Sequence, residues 1–360
     1  KLVNDMRFVQ TAQVNEKVRT KKLPQDVLDE SLNYVIAHEI GHCLGLMHNM
    51  GASSAYPVDS LRSASFTQKY GTTPSIMDYA RNNYIAQPGD KGLRLTPPAI
   101  GVYDFYAIKV GYKPVFNVST PEEENEIVKG WIAEKANDPK YRYGKQQLQA
   151  VYDPRALMED LGDDAMKAGD YGIQNLKYIL SRLDEWIADD PEVTVRRALY
   201  VQMVNQYYRY IRNVIYNIGG IYLSDAKESL SPERFRPVER EKQKASVAWT
   251  LEQLRDCEWL DNRELLGKFA LGLPDSWRTR SNMISRLLSR KSYVALSAHL
   301  ADDPYPMDEF MQDIYDEVWK SAWENQELTL IDKLLQTEWL GACQSRVATI
   351  GGKQFTAANF

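Results

Sequence analysis

The chain has 360 residues, 44% of them hydrophobic and 26% charged, and a formal net charge of −5. That length suits about two ordinary globular domains, and the acidic balance excludes a general nucleic-acid binder, which would carry a basic face. No stretch approaches the ~20 apolar residues of a membrane helix, and the three cysteines, Cys43, Cys257 and Cys343, lie too far apart to outline a disulfide framework.

The first residue is Lys1 rather than Met. The chain therefore reads as a processed piece of a longer protein, and a missing leader says nothing of location. Residues 1 to about 22 are polar and weakly patterned. Pro24 suits the first turn of a helix. After it Val27, Leu28, Leu32, Val35, Ile36 and Ile40 recur every three to four residues, which predicts one buried helix face. Gly45 is a natural terminator, because glycine enters the left-handed conformation cheaply. Cys43 reads as a packed thiol. From Asn49 to Gly92 the chain is rich in Gly, Ser, Pro, Asn and Asp, which predicts a long irregular loop of the kind that carries function. Pro97 to about Val110 reads as a helix, punctuated by Gly111 and Pro114.

Everything after about Ser119 reads mainly as helices. One apolar stripe runs through Ile173, Leu176, Ile179, Leu180, Leu183 and Ile187. A second takes Val195, Leu199, Tyr208, Ile211 and Ile215 and stops at Gly219-Gly220. Further helical patterns cover Ala245–Leu254, Met283–Leu296 and Met311–Trp319, with no repeat period.

Of four histidines in the chain, three fall within the eleven residues His38-Glu39-Ile40-Gly41-His42-Cys43-Leu44-Gly45-Leu46-Met47-His48. Residues four apart on a helix sit one above the other, so His38 and His42 can present imidazoles to one ion. A sharp bend at Gly45 returns His48 as a third ligand. Three protein ligands leave a fourth position open, the catalytic rather than the structural arrangement for zinc. Glu39 borders the metal without ligating it, where a general base belongs.

This stretch resembles HExxHxxGxxH, the extended zinc signature of the metzincin clan, and Ser75-Ile76-Met77-Asp78-Tyr79 resembles its downstream Met-turn. The resemblance implies that Met77 packs beneath the three histidines as an apolar floor. It also implies that Tyr79 matches the tyrosine that, in astacin-like and serralysin-like members, reaches the zinc and stabilises the transition state. A closer resemblance is to a family of large bacterial, Bacteroides-type zinc metallopeptidases. It is carried by His38–Met50, Ala52–Pro57, Ser75–Tyr84, Gln87–Asp90, Gly101–Asp104 through Gly111-Tyr112, Asp153–Arg155, Asp160–Asp164 and Tyr171–Leu176.

The fold class expected is mainly α: a metzincin-like zinc helix and Met-turn region over residues 1–118, then an all-helical domain over 119–360. The same resemblance implies an exported protein, periplasmic, secreted or at the cell surface. Metzincins place a sheet-bearing upper subdomain ahead of the zinc helix, and its edge strand pairs with substrate. Only 37 residues precede His38. The upper wall of the cleft is therefore expected to lie outside this chain, which should bind zinc yet cleave peptides poorly.

Other signals are weaker. Asp153, Asp160, Asp163 and Asp164 form an acidic cluster that reads either as a calcium site or as carboxylates favoured at a helix start. Asn49 is placed to hold its turn by an Asx-type hydrogen bond. Asp78 is placed to accept from a ligand histidine or simply to shape the turn. His299 reads as structural or exposed, and Tyr207, Tyr208 and Tyr210 as a packed helix face. The leading functional reading is a zinc endopeptidase acting on protein or peptide, with Glu39 as base and Tyr79 assisting the oxyanion. A non-catalytic helical scaffold stabilised by zinc, and a zinc hydrolase of non-peptide bonds, are the alternatives.

Overall fold

The computed structural model describes residues 2–96, 99–224, 233–269, 272 and 274–350. The chain is mainly α-helical, with a single two-stranded sheet among the described residues. It divides into two compact units. The first comprises Lys1–Ala150, Arg155–Tyr210 and Ser224–Arg234; the second comprises Val151–Pro154, Ile211–Leu223 and Phe235–Phe360.

The first unit begins with α1 (Leu2–Thr11), a helix absent from the sequence reading. Its buried residues mix Met6, Phe8 and Val9 with Arg7, Gln10 and Thr11, so no apolar period announces it. Next comes α2 (Gln25–Cys43), the helix expected after Pro24. Its packed side is not the expected one. Val27, Ser31, His38 and Gly41 are buried, whereas Leu32, Val35, Ile36 and Ile40 are 41–55% exposed. The apolar period is real, but within this chain it faces outward, and the side chains that pack are those in register with the histidines. Cys43, read as a packed thiol, is exposed as well.

Residues 49–92 are irregular, as expected, apart from short 3-10 turns and α3 (Ala64–Tyr70). Much of this loop is buried, so its backbone groups need partners that regular structure does not supply. Side chains provide them: Asn83 Nδ2 donates to Leu61 O at 2.8 Å and to Arg94 O at 3.2 Å. The next helix is α4 (Val102–Tyr112); Pro97 and Pro98, where it was expected to start, lie outside the described residues. Then come α5 (Pro121–Ala133) and α6 (Ala165–Trp186), and α7 (Thr194–Ile215), within which the division into units falls. The stripe from Ile173 to Ile187 is buried throughout, and Tyr207 and Tyr210 are packed. Phe8 of α1 meets Trp186 edge-to-face at 6.3 Å.

The second unit holds the antiparallel pair β1 (Ile221–Leu223) and β2 (Phe235–Pro237). Its helices are α8 (Arg240–Arg255), α9 (Arg263–Leu266), α10 (Asp275–Leu288), α11 (Lys291–Leu300), α12 (Met307–Trp323) and α13 (Leu330–Ile350). The single helix expected over Met283–Leu296 is two, α10 and α11. The break at Ser289-Arg290 turns Arg290 inward, where its Nε donates to Ile218 O and Nη1 to Val151 O. No helix among the described residues is long and apolar enough to cross a membrane.

Candidate metal centre

His38 and His42 project from consecutive turns of α2, with ring centroids 4.8 Å apart. The helix then ends in a paired C-terminal motif. Gly45 N–H donates to His42 O at 2.9 Å and Leu46 N–H to Gly41 O at 3.0 Å, while Gly45 takes φ +80°. A side chain there would have open space, so the backbone angle alone calls for glycine. The reversal delivers His48 to within 4.7 Å of the His42 ring and 5.2 Å of the His38 ring. One nitrogen from each ring falls within 4.8 Å of the others.

The hydrogen bonds fix which nitrogen that is. His38 Nδ1 donates to Ile76 O at 2.8 Å, His42 Nδ1 to Leu46 O at 2.8 Å and His48 Nδ1 to Gln146 Oε1 at 2.9 Å. A carbonyl oxygen only accepts, so each Nδ1 carries the proton and each Nε2 of a neutral ring presents a lone pair. His42 Nε2 and His48 Nε2 nevertheless face each other at 3.1 Å, and the buried His38 Nε2 has no partner. Burial lowers the His38 pKa, which favours the neutral ring. Converging lone pairs repel unless a cation stands among them. Ligands of a tetrahedral zinc lie about 3.3 Å apart, close to the His42–His48 spacing. The donor set therefore fits zinc.

Residues distant in sequence pack and hydrogen-bond around the motif. Met77 is fully buried, and its Sδ lies where a Cβ on Gly41 would come within 2.4 Å. The glycine in the middle of the motif thus admits the methionine sulfur against the helix. Asp104, near the start of α4, clamps the preceding turn by accepting from Ser75 Oγ at 2.7 Å, Ile76 N at 2.8 Å and Gly101 N at 2.7 Å. Since Ile76 O holds His38, this clamp acts on the first histidine through one residue. Burial raises the Asp104 pKa.

Asn49, also buried, works across the sequence rather than within its own turn. Its N–H donates to Met77 O at 3.0 Å, its Nδ2 to Arg142 O at 3.0 Å, and its Oδ1 accepts from Gly144 N at 2.8 Å. It joins the segment of the third histidine to the methionine turn and to the stretch that carries Gln146. Asp78 bonds none of the three histidines. Its Oδ2 accepts from Ser53 N at 2.6 Å and its carbonyl from the Tyr34 hydroxyl at 2.9 Å. Complete burial pushes its carboxyl up to about 7. These bonds tie the methionine turn to Ser53 and to Tyr34 of α2.

Tyr79 stacks on His38 at 5.5 Å and lies 4.6 Å from the His48 ring. The Arg81 guanidinium sits 5.8 Å from the Tyr79 centroid and bonds Glu159, which also pairs with Arg209 at 2.6 Å. Glu39 is exposed and lines a recess together with His38 and Tyr79.

The acidic residues suspected of binding calcium serve the chain's own donors instead. Asp160 Oδ1 accepts from Ser53 Oγ, Asp163 Oδ1 from Val58 N, Asp164 caps α6 through Met166 N and Lys167 N, and Asp153 Oδ2 accepts from Leu223 N. Among the described residues, the group of potential metal ligands that converges is the histidine triad. Nothing supports calcium at Asp160, Asp163 and Asp164.

Sequence reasoning passed over Gln146, Asp104 and the packing role of Gly41. Gln146 lies 98 residues from His48 and follows no spacing rule. Gly41 did leave a signal, since glycine inside a helix costs about 1 kcal/mol against alanine and needs a reason.

Among protein families, the chain matches the one described as Met-zincin over residues 20–326. No curated protein and no solved structure matches it.

Proposed function

Because this chain belongs to the Met-zincin family, we propose that it is a zinc-dependent endopeptidase, with His38, His42 and His48 as metal ligands and Glu39 as general base. The observation that carries the reading is the pair of opposed lone pairs on His42 and His48, 3.1 Å apart with both Nδ1 atoms committed to carbonyl oxygens. A bound zinc ion supplies Lewis-acid polarisation of a scissile carbonyl and makes water acidic near neutral pH.

The chain's own groups do the rest. The three Nδ1–H···O bonds hold the rings so that only Nε2 can ligate, and the partner oxygens increase ring basicity. Glu39 follows the first ligand directly and lines the adjoining recess. Its carboxylate takes a proton from the attacking water and passes it to the leaving amine nitrogen. The Tyr79 hydroxyl donates a hydrogen bond to the oxyanion as the carbonyl becomes tetrahedral, and Met77 with Gly41 keeps the floor dry. A purely structural zinc site would have no use for a carboxylate at Glu39, which weighs against the scaffold alternative.

The exposed residues Leu32, Ile36 and Ile40 on α2 support one addition. A sheet-bearing region outside this chain covers that face and completes the cleft. On the resemblance to exported bacterial peptidases, the substrate is met outside the cytoplasm.

The test compares the zinc-loaded chain with Glu39→Ala for zinc content and for hydrolysis of a mixed peptide pool. Both are expected to hold one zinc, and only the variant to be inert. Hydrolysis by Glu39→Ala at the wild-type rate would overturn the role of the base. A longer protein that includes the covering region is expected to cleave far faster than this chain; equal rates would remove that region from the proposal.

A further inference from the structure

A recess of about 150 Å³ opens beside the metal centre. His38, Glu39 and Tyr79 are among its lining residues, so a side chain seated there belongs to a residue flanking the bond that the centre attacks. Its size suits one amino-acid side chain rather than a cofactor. Met6 and Val35 add apolar wall, fit for an aliphatic stem. The remaining wall is not apolar. It includes Arg7, whose side chain is 1% exposed.

Arg7 is poorly matched by its own fold. Its Nε and Nη2 both donate to the neutral Ser31 Oγ, at 3.3 and 3.1 Å. The carboxylate that pairs with it, Glu30, lies 3.6 Å away on a side chain that is 51% exposed. Nη1 is buried with no partner, and burial lowers the Arg7 pKa. Asn82 Oδ1, on the same wall, is likewise unpartnered, although its Nδ2 donates to Gln10 Oε1 at 2.7 Å. Arg81 also lines the recess, but Glu159 answers its charge at 3.0 Å. A buried guanidinium with one unpaired donor, and with its counter-ion 3.6 Å away on a half-exposed side chain, is costly, and a carboxylate oxygen is its best complement.

We infer that this recess selects an acidic side chain, glutamate or aspartate, on a residue next to the scissile bond, with Arg7 as the specificity-determining residue. The inference rests on the peptidase reading but is tested apart from it. Three zinc-chelating hydroxamates that bear a glutamyl, a glutaminyl or a leucyl side chain are titrated into the zinc-loaded chain by calorimetry, which requires no turnover. The glutamyl probe is expected to bind at least tenfold tighter than the other two. In Arg7→Leu the preference should vanish or pass to the leucyl probe, and in Arg7→Lys it should survive in part. Probes that bind alike or not at all, or a leucyl or glutaminyl probe that binds best to the wild type, overturn the inference. The wild-type comparison decides even where a variant at this buried site misfolds. Peptide-library cleavage separates the two claims: turnover with an apolar preference removes only this inference, while selective glutamyl binding without turnover removes only the peptidase reading.

Discussion

Replacing Gly41 with alanine would place a methyl carbon 2.4 Å from Met77 Sδ and 3.4 Å from its Cε. Ordinary contacts between such atoms lie near 3.5–4.0 Å, so the sulfur would have to retreat by more than about 1 Å. Met77 is fully buried, so that retreat disturbs its packing against Gly41, one residue from the ligand candidate His42. Overpacking of this kind costs about 1–3 kcal/mol, and the better helix propensity of alanine returns about 1 kcal/mol. The net loss is then up to about 2 kcal/mol, felt at the metal centre, where 1.4 kcal/mol is about a tenfold change in zinc affinity. Chelator competition reads the zinc term, and urea unfolding of the metal-free protein reads the stability term. A double-mutant cycle isolates the cause. In a Met77→Ala background the clash is gone, and Gly41→Ala should be neutral or stabilising. The same penalty in both backgrounds, or a Gly41→Ala protein that binds zinc as tightly as wild type and is more stable, refutes the steric account of this glycine.

Further outcomes follow from the same geometry. Gln146→Leu removes the acceptor that orients His48 and should weaken zinc binding about 10–100-fold; unchanged affinity by chelator competition would strip Gln146 of that role. Tyr79→Phe should keep its zinc and lose about 10²–10³ in kcat, and wild-type turnover would discard the oxyanion role. The Asp78 carboxyl, pushed up to about 7 by burial, is neutral in the fold at pH values where an unfolded aspartate is ionised. Its contribution is therefore complete below the unfolded value near 4 and is lost as pH rises through about 7. In metal-free protein, unfolding free energies at pH 5 and pH 8 should differ by more in wild type than in Asp78→Asn, on the order of a few kcal/mol. The same pH dependence in both proteins would contradict this.

The zinc-site pattern was legible because its geometry is local. Four residues make one helical turn, and a terminal glycine permits one reversal, so His38, His42, Gly45 and His48 could be placed from spacing alone. Groups that come from afar left no such trace. Gln146 and Asp104 reach the site by chain reversals that no periodicity encodes, and Arg7 sits on a helix whose buried face is half polar. Pattern also identifies an amphipathic helix without saying what covers it. The stripe from Leu32 to Ile40 read as core because apolar residues usually are, yet in this chain the histidine side of α2 is the packed one. The break between α10 and α11 was missed for a simpler reason: Ser289-Arg290 contains neither glycine nor proline, and the signal that ends α10 is the burial of Arg290 against distant carbonyls. The stripe of α6 from Ile173 to Ile187 is buried at every position read, whereas in α7 Leu199, Ile211 and Ile215 are buried but Val195 and Tyr208 are half-buried, because Gln206 and Asn213 share the packed side.

The convergence of three Nε2 atoms on one ion is tested most directly by zinc K-edge absorption spectroscopy on the stoichiometrically loaded chain, with His42→Ala and His48→Ala alongside. One zinc per chain, three imidazole shells near 2.0–2.1 Å and the loss of one imidazole in each variant are the expected result. A spectrum without three imidazoles, or one left unchanged by either substitution, would mean that zinc binds elsewhere and that the triad is not its site.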